Sequence, residues 1–215
     1  MRSPLRLTKD AIFRYRRLRS YALGPWRLRR WVRSGRPLKL VVGASGWGNP
    51  GWFATDEQFL DLTKPAHWSR FFAPASVDAL LAEHVLEHLT PQEAQLAART
   101  TYEFLKPGGY FRIAVPDGLH PEPEYQQWVG VGGKLPGQVS NDHKVLYTHR
   151  TLRELLEGVG YLVQLLEYFD ESGQFHHEEW HQAQGLIRRS RRNDKRNKDG
   201  KLVYTSIILD AVKPT

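Results

Sequence analysis

The chain has 215 residues, no cysteine and a formal net charge of +8 at pH 7. This length favours a single domain with a full hydrophobic core, and the lack of cysteine excludes disulfides and thiolate metal sites. No segment approaches the roughly 18 apolar residues of a membrane span, and the first residues lack the apolar core of a signal peptide. We therefore expect a cytoplasmic protein, either free or peripheral to a membrane.

The positive charge is concentrated at the start of the chain. Residues 1–39 hold 13 of the 31 Lys and Arg side chains and a single acidic residue, Asp10, so the remainder is net acidic. Apolar residues recur every three or four positions over residues 8–34, which predicts an amphipathic helical unit interrupted at Gly24-Pro25. This unit would cover one face of a sheet, lie on an anionic membrane surface, or contact nucleic acid.

Strand-like and helix-like segments alternate over the rest of the chain. The predicted strands are residues 38–42, 52–55, 59–60, 77–82, 110–115, 162–169 and 202–212. The predicted helices are residues 91–105, with Thr90 as N-cap, and residues 151–158. The alternation predicts an α/β fold with a three-layer, mainly parallel sheet and an antiparallel last strand. We divide the chain into a helical extension, 1–37, and a domain, 38–215, with a tip insertion at 171–201.

The turn after the first strand is rich in small residues. It reads Gly43, Ala44, Ser45 and Gly46. Backbone without bulky side chains lets a cofactor approach closely. The connection to residue 52 is shorter than the dozen or so residues that a helical crossover needs, so the first helix is reduced or missing. A phosphate bound at a helix N-terminus is therefore disfavoured, and with it nicotinamide and nucleoside triphosphate cofactors.

Acidic residues follow two short strand-like segments. Asp56 comes after residues 52–55, and Asp61 comes after residues 59–60. A carboxylate at the end of a strand can accept two hydrogen bonds from vicinal ribose hydroxyls, or one from an adenine amino group. Each acid alone could equally cap a loop. Beside the small-residue turn, the two together favour nucleoside binding.

Glu83, His84, Glu87 and His88 form a polar cluster after the predicted strand 77–82. Open α/β sheets bind ligands at the carboxyl ends of their strands, so chemistry is expected here. The last three residues also match HxxEH, in which two histidines on one helical face bind zinc beside a catalytic glutamate. However, His84 is expected at the strand end and not inside a helix, and a third ligand would have to come from elsewhere. We therefore predict no metal.

These segments resemble class I S-adenosylmethionine (SAM)-dependent methyltransferases, and in particular a compact bacterial branch whose first turn runs directly into Pro-Gly-Trp. The matching segments are residues 43–46, 50–52, 56, 60–61, 82–89 (AEHVLEHL), 105–109 (LKPGG), 142–144, 168–170 and 187–190, within residues 38–213. The resemblance implies a SAM cofactor with its methionine part at residues 43–46, its ribose on Asp56 and its adenine near Asp61. It also implies that Glu83 and His84 line the cofactor. The pair Ala44-Ser45 departs from the usual GxGxG turn.

The same resemblance places the substrate near the long loop over residues 117–147. Methyl transfer from a sulfonium is an in-line displacement, so the protein mainly aligns the nucleophile and removes its proton if it is a hydroxyl. Histidine suits that base role; His143 is our first choice, with Asp142 as its orienter, and His84 is the second. A structural role in the loop is the alternative for either histidine. We predict O-methylation of a small-molecule or glycan/lipid-linked acceptor.

Two further polar segments and two other functions stay open. Residues 175–181 combine three histidines with two glutamates, which suits a solvated loop, a substrate contact or a metal site. Residues 188–201 are basic without interleaved aromatic residues, so nucleic acid is disfavoured as a partner. The alternative functions are a non-catalytic SAM-binding scaffold, which SAM titration with Asp56→Ala tests, and an RNA-modifying methyltransferase, which salt-dependent RNA binding tests.

Overall fold

A computed structural model of the chain describes residues 22–133 and 139–215, and seven strands form one sheet there. The strands are β1 Lys39–Val42, β2 Phe53–Ala54, β3 Val77–Glu83, β4 Leu105–Pro116, β5 Leu162–Phe169, β6 Phe175–His177 and β7 Ser206–Val212, in the order β2-β1-β3-β4-β7-β5-β6. Neighbours from β2 to β4 are parallel, whereas β7 is antiparallel to β4 and β5, and β6 is antiparallel to β5. The predicted α/β fold with an antiparallel last strand is confirmed.

Two parts of the sheet differ from the prediction. Residues 59–60, predicted as a strand, form a turn. Phe59 and Leu60 are buried in the core. A buried turn and a short buried strand both place adjacent apolar residues in the sequence, so the pattern could not distinguish them. Residues 175–177 form the edge strand β6 in a segment that was predicted to leave the sheet. A three-residue strand of Phe, His and His has no hydrophobic alternation, so periodicity could not reveal its pairing.

The helices are α1 (residues 22–32), α2 Pro65–Trp68, α3 Pro91–Phe104, α4 Pro123–Val129 and α5 His149–Glu157. The predicted start of α3 is confirmed, because Thr90 and Glu93 form a capping box in which each side chain accepts the other's backbone N–H. The connection from β1 to β2, described throughout, contains no helix. This agrees with the prediction from its length. No helix within the described ranges is long and apolar enough to cross a membrane.

Helix α1 is the described part of the unit predicted over residues 8–34, the rest of which lies outside the described residues. It continues through Gly24 and Pro25, where a break was predicted. Gly24 packs so closely against Phe59 that a Cβ would lie 2.6 Å from the ring atom Cε1. The glycine therefore permits close packing of α1, and Leu28 one turn later is fully buried in the same core.

Helices α1, α2, α3 and α5 all contribute to a single core on one face of the sheet. Alternate strand residues reach this core, among them Leu40, Leu80 and Ile113, as the two-residue period of a strand requires. On the helix side, Trp68 stacks on Phe104 with ring centroids 5.6 Å apart. Four of the five described helices therefore lie on the same side of the sheet.

The opposite face of the sheet is covered by irregular chain from the segment 178–205. Its Trp180 and Ile187 pack on the intervening strand residues, including Leu81 and Ile208. Gly185 lies so close to the sheet that a Cβ would be 2.6 Å from Leu81 Cδ1. The third layer is therefore built from most of the segment that was predicted as a tip insertion.

Arg112 of β4 holds this irregular layer to the sheet. Its fully buried guanidinium donates to both carboxylate oxygens of Asp210, at 2.8 and 2.7 Å, and stacks over Trp180 at 5.0 Å. It also donates to the carbonyl oxygens of His181 and Gly185, at 3.3 and 3.0 Å. A planar group with five donors can satisfy a carboxylate and two carbonyls at once, which a lysine could not do in this geometry.

Candidate functional site

The carboxyl ends of β1, β2 and β3 surround a cavity of about 660 Å³. Strand order reverses here, because the chain passes from β1 outward to β2 on one side and then to β3 and β4 on the other. Open α/β sheets bind ligands in the crevice outside the carboxyl ends of the strands at such a switch point. The wall of the cavity consists mainly of the turn after β1, the loop after β2 and the segment after β3.

The small-residue turn lies against the segment after β3. Gly43 has φ of +60°, and a Cβ there would lie 2.6 Å from Cγ2 of Val85. Glycine is therefore required both by the backbone conformation and by the close approach. Gly43, Ser45 and Gly46 line the cavity, whereas Ala44 is buried and its N–H donates to the carbonyl of Thr55 at 2.9 Å.

Both predicted carboxylates after β2 lie on the cavity wall. Asp56 Oδ1 accepts the N–H of Ser45 at 2.8 Å, which ties the small-residue turn to the end of β2. Asp61 Oδ1 accepts the N–H and hydroxyl of Thr63, and its Oδ2 lies 2.9 Å from Lys64 Nζ. Partial burial opposes ionisation of Asp61, but the hydrogen bonds from Lys64 and Thr63 outweigh it and lower the pKa of the carboxyl.

Glu83 does not line the cavity, although it was predicted to contact the cofactor. Its Oε1 accepts the N–H groups of Arg188 and Arg189 at 3.0 and 2.8 Å. Its Oε2 accepts the guanidinium Nε of Arg188 at 3.1 Å. The contacts of Glu83 therefore attach the irregular layer to the end of β3, across more than 100 residues of sequence.

His84 lies on the cavity wall at the carboxyl end of β3, as predicted. Its φ of +57° is unusual for a residue with a Cβ, and such backbone strain is concentrated at functional sites. Its Nε2 lies 3.0 Å from Ser206 Oγ, and its Nδ1 lies 3.1 Å from Glu87 Oε1. Burial holds the pKa of His84 well below its usual range, and the Arg189 charge lowers it further.

At the cavity wall, His88 meets Glu87 and His143 behind it, and the ligating atoms of the three residues all lie within 4.8 Å of one another. Glu87 is fully buried, and burial raises the pKa of its carboxyl to about 7. His143 is also buried, and its Nδ1 bonds to the carbonyl of Val129 at 2.9 Å while its Nε2 lies 3.9 Å from Glu87 Oε1. This is the only such group among the residues that the structure describes.

The structure thus brings most of the predicted site residues to one cavity. Its wall includes Gly43, Ser45, Gly46, Asp56, Asp61, His84 and Asp142, whereas Ala44, Glu83 and His143 do not line it. Asp142, predicted to orient His143, lies 3.1 Å from Nδ1 of His88. The site residues that sequence reasoning did not assign are Glu87 and His88. The sequence feature that could have identified them is their spacing from the end of β3, because both residues lie on the 3-10 helix Leu86–His88 that follows this strand.

The polar side chains of residues 175–181 contact different partners and do not form one cluster. His176 Nε2 bonds to Asp170 Oδ2 at 2.7 Å, and Glu179 pairs with Arg191 and Arg192. Trp180 Nε1 donates to Glu167 at 3.2 Å. The cluster that looks metal-like in sequence therefore spreads over the β6 edge and the irregular layer.

No protein-family model and no curated protein sequence matches the chain. Solved structures similar to it include a SAM-dependent methyltransferase of Archaeoglobus fulgidus, at 16% identity and a TM-score of 0.49 over 93% of this chain and 99% of that one. A SAM-dependent methyltransferase of Thermotoga maritima is similar at 14% identity and a TM-score of 0.46, over 95% and 96%. The 1,6-didemethyltoxoflavin-N1-methyltransferase of Burkholderia thailandensis is similar at 17% identity and a TM-score of 0.46, over 100% and 94%. At such low identities and TM-scores, we draw no conclusion about activity or cofactor from these likenesses.

Proposed function

We propose that this chain is a SAM-dependent methyltransferase. The observation that carries the proposal is the cavity at the strand-order switch point, because the small-residue turn, Asp56 and His84 lie together on its wall. They come from three different strand ends, which is the arrangement that a ligand with an amino-acid part and a nucleoside part needs. Of the segments that resemble class I methyltransferases, residues 43–46, 56, 60–61, 82–89 and 142–144 contribute to the wall of this cavity.

The size and the lining of the cavity fit SAM. Its volume of about 660 Å³ lies within the roughly 300–1,000 Å³ of small-molecule sites. Gly43, Ser45 and Gly46 line the wall, Asp56 offers a carboxylate for the ribose hydroxyls, and Asp61 lies on the wall for the adenine. When bound, SAM supplies an electrophilic methyl group on a sulfonium sulfur.

The finer proposal is O-methylation of a small-molecule or glycan/lipid-linked acceptor. One part of the cavity wall contains His84, His88 and Asp142, with Glu87 and His143 directly behind it. An acceptor hydroxyl there would meet imidazole and carboxylate groups able to take its proton. The residues around it would align the hydroxyl and exclude water. The role of His143 as the base stays a prediction. Because His143 does not line the cavity, the proton of the acceptor hydroxyl would have to reach it through the groups on the wall.

The cofactor assignment is tested by titrating the protein with SAM in a calorimeter. Asp56→Ala removes the ribose acceptor and the bond to Ser45, so we expect at least a tenfold loss of affinity, since hydrogen bonds to charged groups contribute about 1.5–3 kcal/mol. Asp56→Asn keeps an acceptor for Ser45 and separates the two effects. Asp78→Ala, at the opposite edge of the sheet, is the matched control. Equal affinity in wild type and Asp56→Ala would remove the cofactor assignment.

The predicted membrane contact through residues 8–34 stays a prediction, because much of that segment lies outside the described residues. In the described part, Trp26 is 58% exposed, and Arg30 lies over its ring at 5.7 Å. Co-sedimentation with anionic vesicles measures this contact directly, and Trp26→Ala should weaken it.

A further inference from the structure

Glu87 is a buried carboxylate whose surroundings do not satisfy it. Its side chain is 0% exposed, and neither oxygen makes a hydrogen bond. Nδ1 of His84 lies 3.1 Å from Oε1 but outside hydrogen-bonding geometry. A buried charge without partners is costly, and proteins normally pair such a group or use it to bind a metal. The environment of Glu87 therefore calls for a positively charged partner.

Two imidazoles complete a set of metal ligands around this carboxylate. Nε2 of His143 lies 3.9 Å from Oε1, and all three donor atoms lie within 4.8 Å of one another. A cation bound at about 2 Å from each donor needs those donors about 3–4 Å apart, so small side-chain rotations close the set. His88 has room for such a rotation, because its side chain is 28% exposed.

The contacts of His143 already favour ligation. Its Nδ1 lies 2.9 Å from the carbonyl of Val129, and a carbonyl can only accept, so the ring carries a proton on Nδ1 and the neutral imidazole has its lone pair on Nε2. Metal-binding histidines show this arrangement, in which the second ring nitrogen donates to a carbonyl or carboxylate. Nδ1 of His88 makes no hydrogen bond, but Asp142 Oδ1 lies 3.1 Å away and would take the same role after a small rotation of the ring.

We propose that Glu87, His88 and His143 bind a divalent transition-metal ion, with zinc as its representative. Two imidazoles and one carboxylate suit zinc and its neighbours better than magnesium or calcium, which prefer all-oxygen sites. The HxxEH pattern pairs His84 with His88, whereas the structure joins His88 and Glu87 to His143, which directly follows the 3-10 helix Val139–Asp142. His84 is not in the set, since it turns to Ser206 and Glu87 at the strand end.

Three protein ligands leave at least one coordination position open, as in catalytic zinc sites. His88 is both one of the three ligands and part of the cavity wall, so the site adjoins the cavity. Resting on the proposed methyltransferase function, an ion held by these residues would supply Lewis-acid chemistry that lowers the pKa of an acceptor hydroxyl. His88 and His143 would then serve as ligands and not as the base, and the hydroxyl proton would pass to Asp142 on the cavity wall or to solvent. Metal binding itself does not depend on that function.

The test uses the full chain, stripped with EDTA and titrated with zinc sulfate by calorimetry, with metal content after dialysis measured by mass spectrometry. His143→Asn keeps a donor for the Val129 carbonyl and removes Nε2, while His88→Asn and Glu87→Gln remove the other donors with little change in volume. His149→Asn is the matched control, because His149 is equally buried and its Nδ1 also bonds to a backbone carbonyl, that of Phe169 at 3.2 Å. Circular dichroism checks that each variant is folded. If one of the three ligand variants does not fold, the zinc affinities of the other two are compared with the wild type.

We expect about one zinc per chain for the wild type and His149→Asn, and at least tenfold weaker binding for each of the three ligand variants. Absence of stoichiometric zinc in the wild type would overturn the proposal, and so would equal affinity in the ligand variants. Zinc that persists in His143→Asn but disappears in His177→Asn would place the metal at the β6 edge instead, with the same consequence. SAM titration of the same samples keeps the two proposals apart, because His143 does not line the cavity and its variant should retain SAM affinity.

Discussion

Asp117 is fully buried at the carboxyl end of β4, directly after Pro116. Its Oδ1 accepts the N–H of Leu119 at 2.9 Å, and its Oδ2 accepts the N–H of Phe169 at 2.8 Å. Burial raises the pKa of Asp117 to about 6, and the two backbone hydrogen bonds offset this only in part. The carboxyl is therefore easier to ionise in the unfolded chain than in the folded protein.

This difference makes stability depend on pH. Because the folded pKa lies above the ordinary value of 3.8, the unfolded state loses its proton first, and stability falls as pH rises through the folded pKa. A change from 3.8 to about 6 corresponds to roughly 3 kcal/mol, at 1.36 kcal/mol for each pH unit. About half of that falls between pH 5 and pH 8.

Asp117→Asn removes the titration while keeping the shape of the side chain. Its amide places an N–H against one of the two backbone donors, and this clash lowers the stability of the variant by an amount that does not vary with pH. Urea unfolding at pH 5 and pH 8 gives the free energy of unfolding of both proteins. Because only the wild type titrates at this position, its advantage over the variant should shrink by roughly 1–2 kcal/mol from pH 5 to pH 8.

Tyr125→Phe serves as the matched control for this experiment. The Tyr125 hydroxyl accepts the N–H of Asp117 at 2.9 Å and donates to the carbonyl of Thr205 at 2.8 Å, so its removal weakens the same site without touching the carboxyl. This variant should keep the wild-type pH dependence. A wild-type advantage over Asp117→Asn that is constant with pH, or that grows toward pH 8, would show that the pKa of Asp117 is not raised in the folded protein.

Two further predictions concern the irregular layer. Gly185→Ala should lower the free energy of unfolding by roughly 2 kcal/mol or more, because φ is +120° and the new Cβ would lie 2.6 Å from Leu81 Cδ1. Thermal unfolding measures this loss. Gly200→Ala is the control for backbone strain alone, because Gly200 has φ of +75° and open space around it. Arg112→Met should cost about 3–5 kcal/mol by leaving Asp210 without its partner, and the double variant with Asp210→Leu should recover part of that loss. An Arg112→Met variant as stable as the wild type would contradict the anchoring role.

The elements with local signals were predictable. The central strands, the cap at Thr90 and the missing first helix all follow from patterns within about a dozen residues, where a period, a cap or a connection length acts directly on the backbone. The positions of Asp56 and His84 on the cavity wall also follow from local order, since parallel strands bring their carboxyl ends to one edge.

The errors arose where contacts join distant parts of the chain. Glu83 meets Arg188 across 105 residues, and this pairing turns it away from the cavity. The turn at residues 59–60 and the unbroken helix through Gly24 share one cause, because Phe59 packs on Gly24. In both cases the local sequence pattern was present, but contacts with residues far away in the sequence determined the conformation or the contacts of the segment.

The short helices α2 and α4 were not predicted. The sequence did determine the central strands, helices α3 and α5, the connection too short for a first helix, and the strand ends at which polar groups would meet. It could not decide what covers the second face of the sheet, because the irregular chain there has no periodicity and is placed by Arg112, Glu83 and Gly185. Nor could it bring His143 to Glu87 and His88. The contact of His143 with these two residues depends on where a long loop returns to the sheet. The sequence does not reveal this contact, because the donors of a site must be close in space and need not be close in sequence.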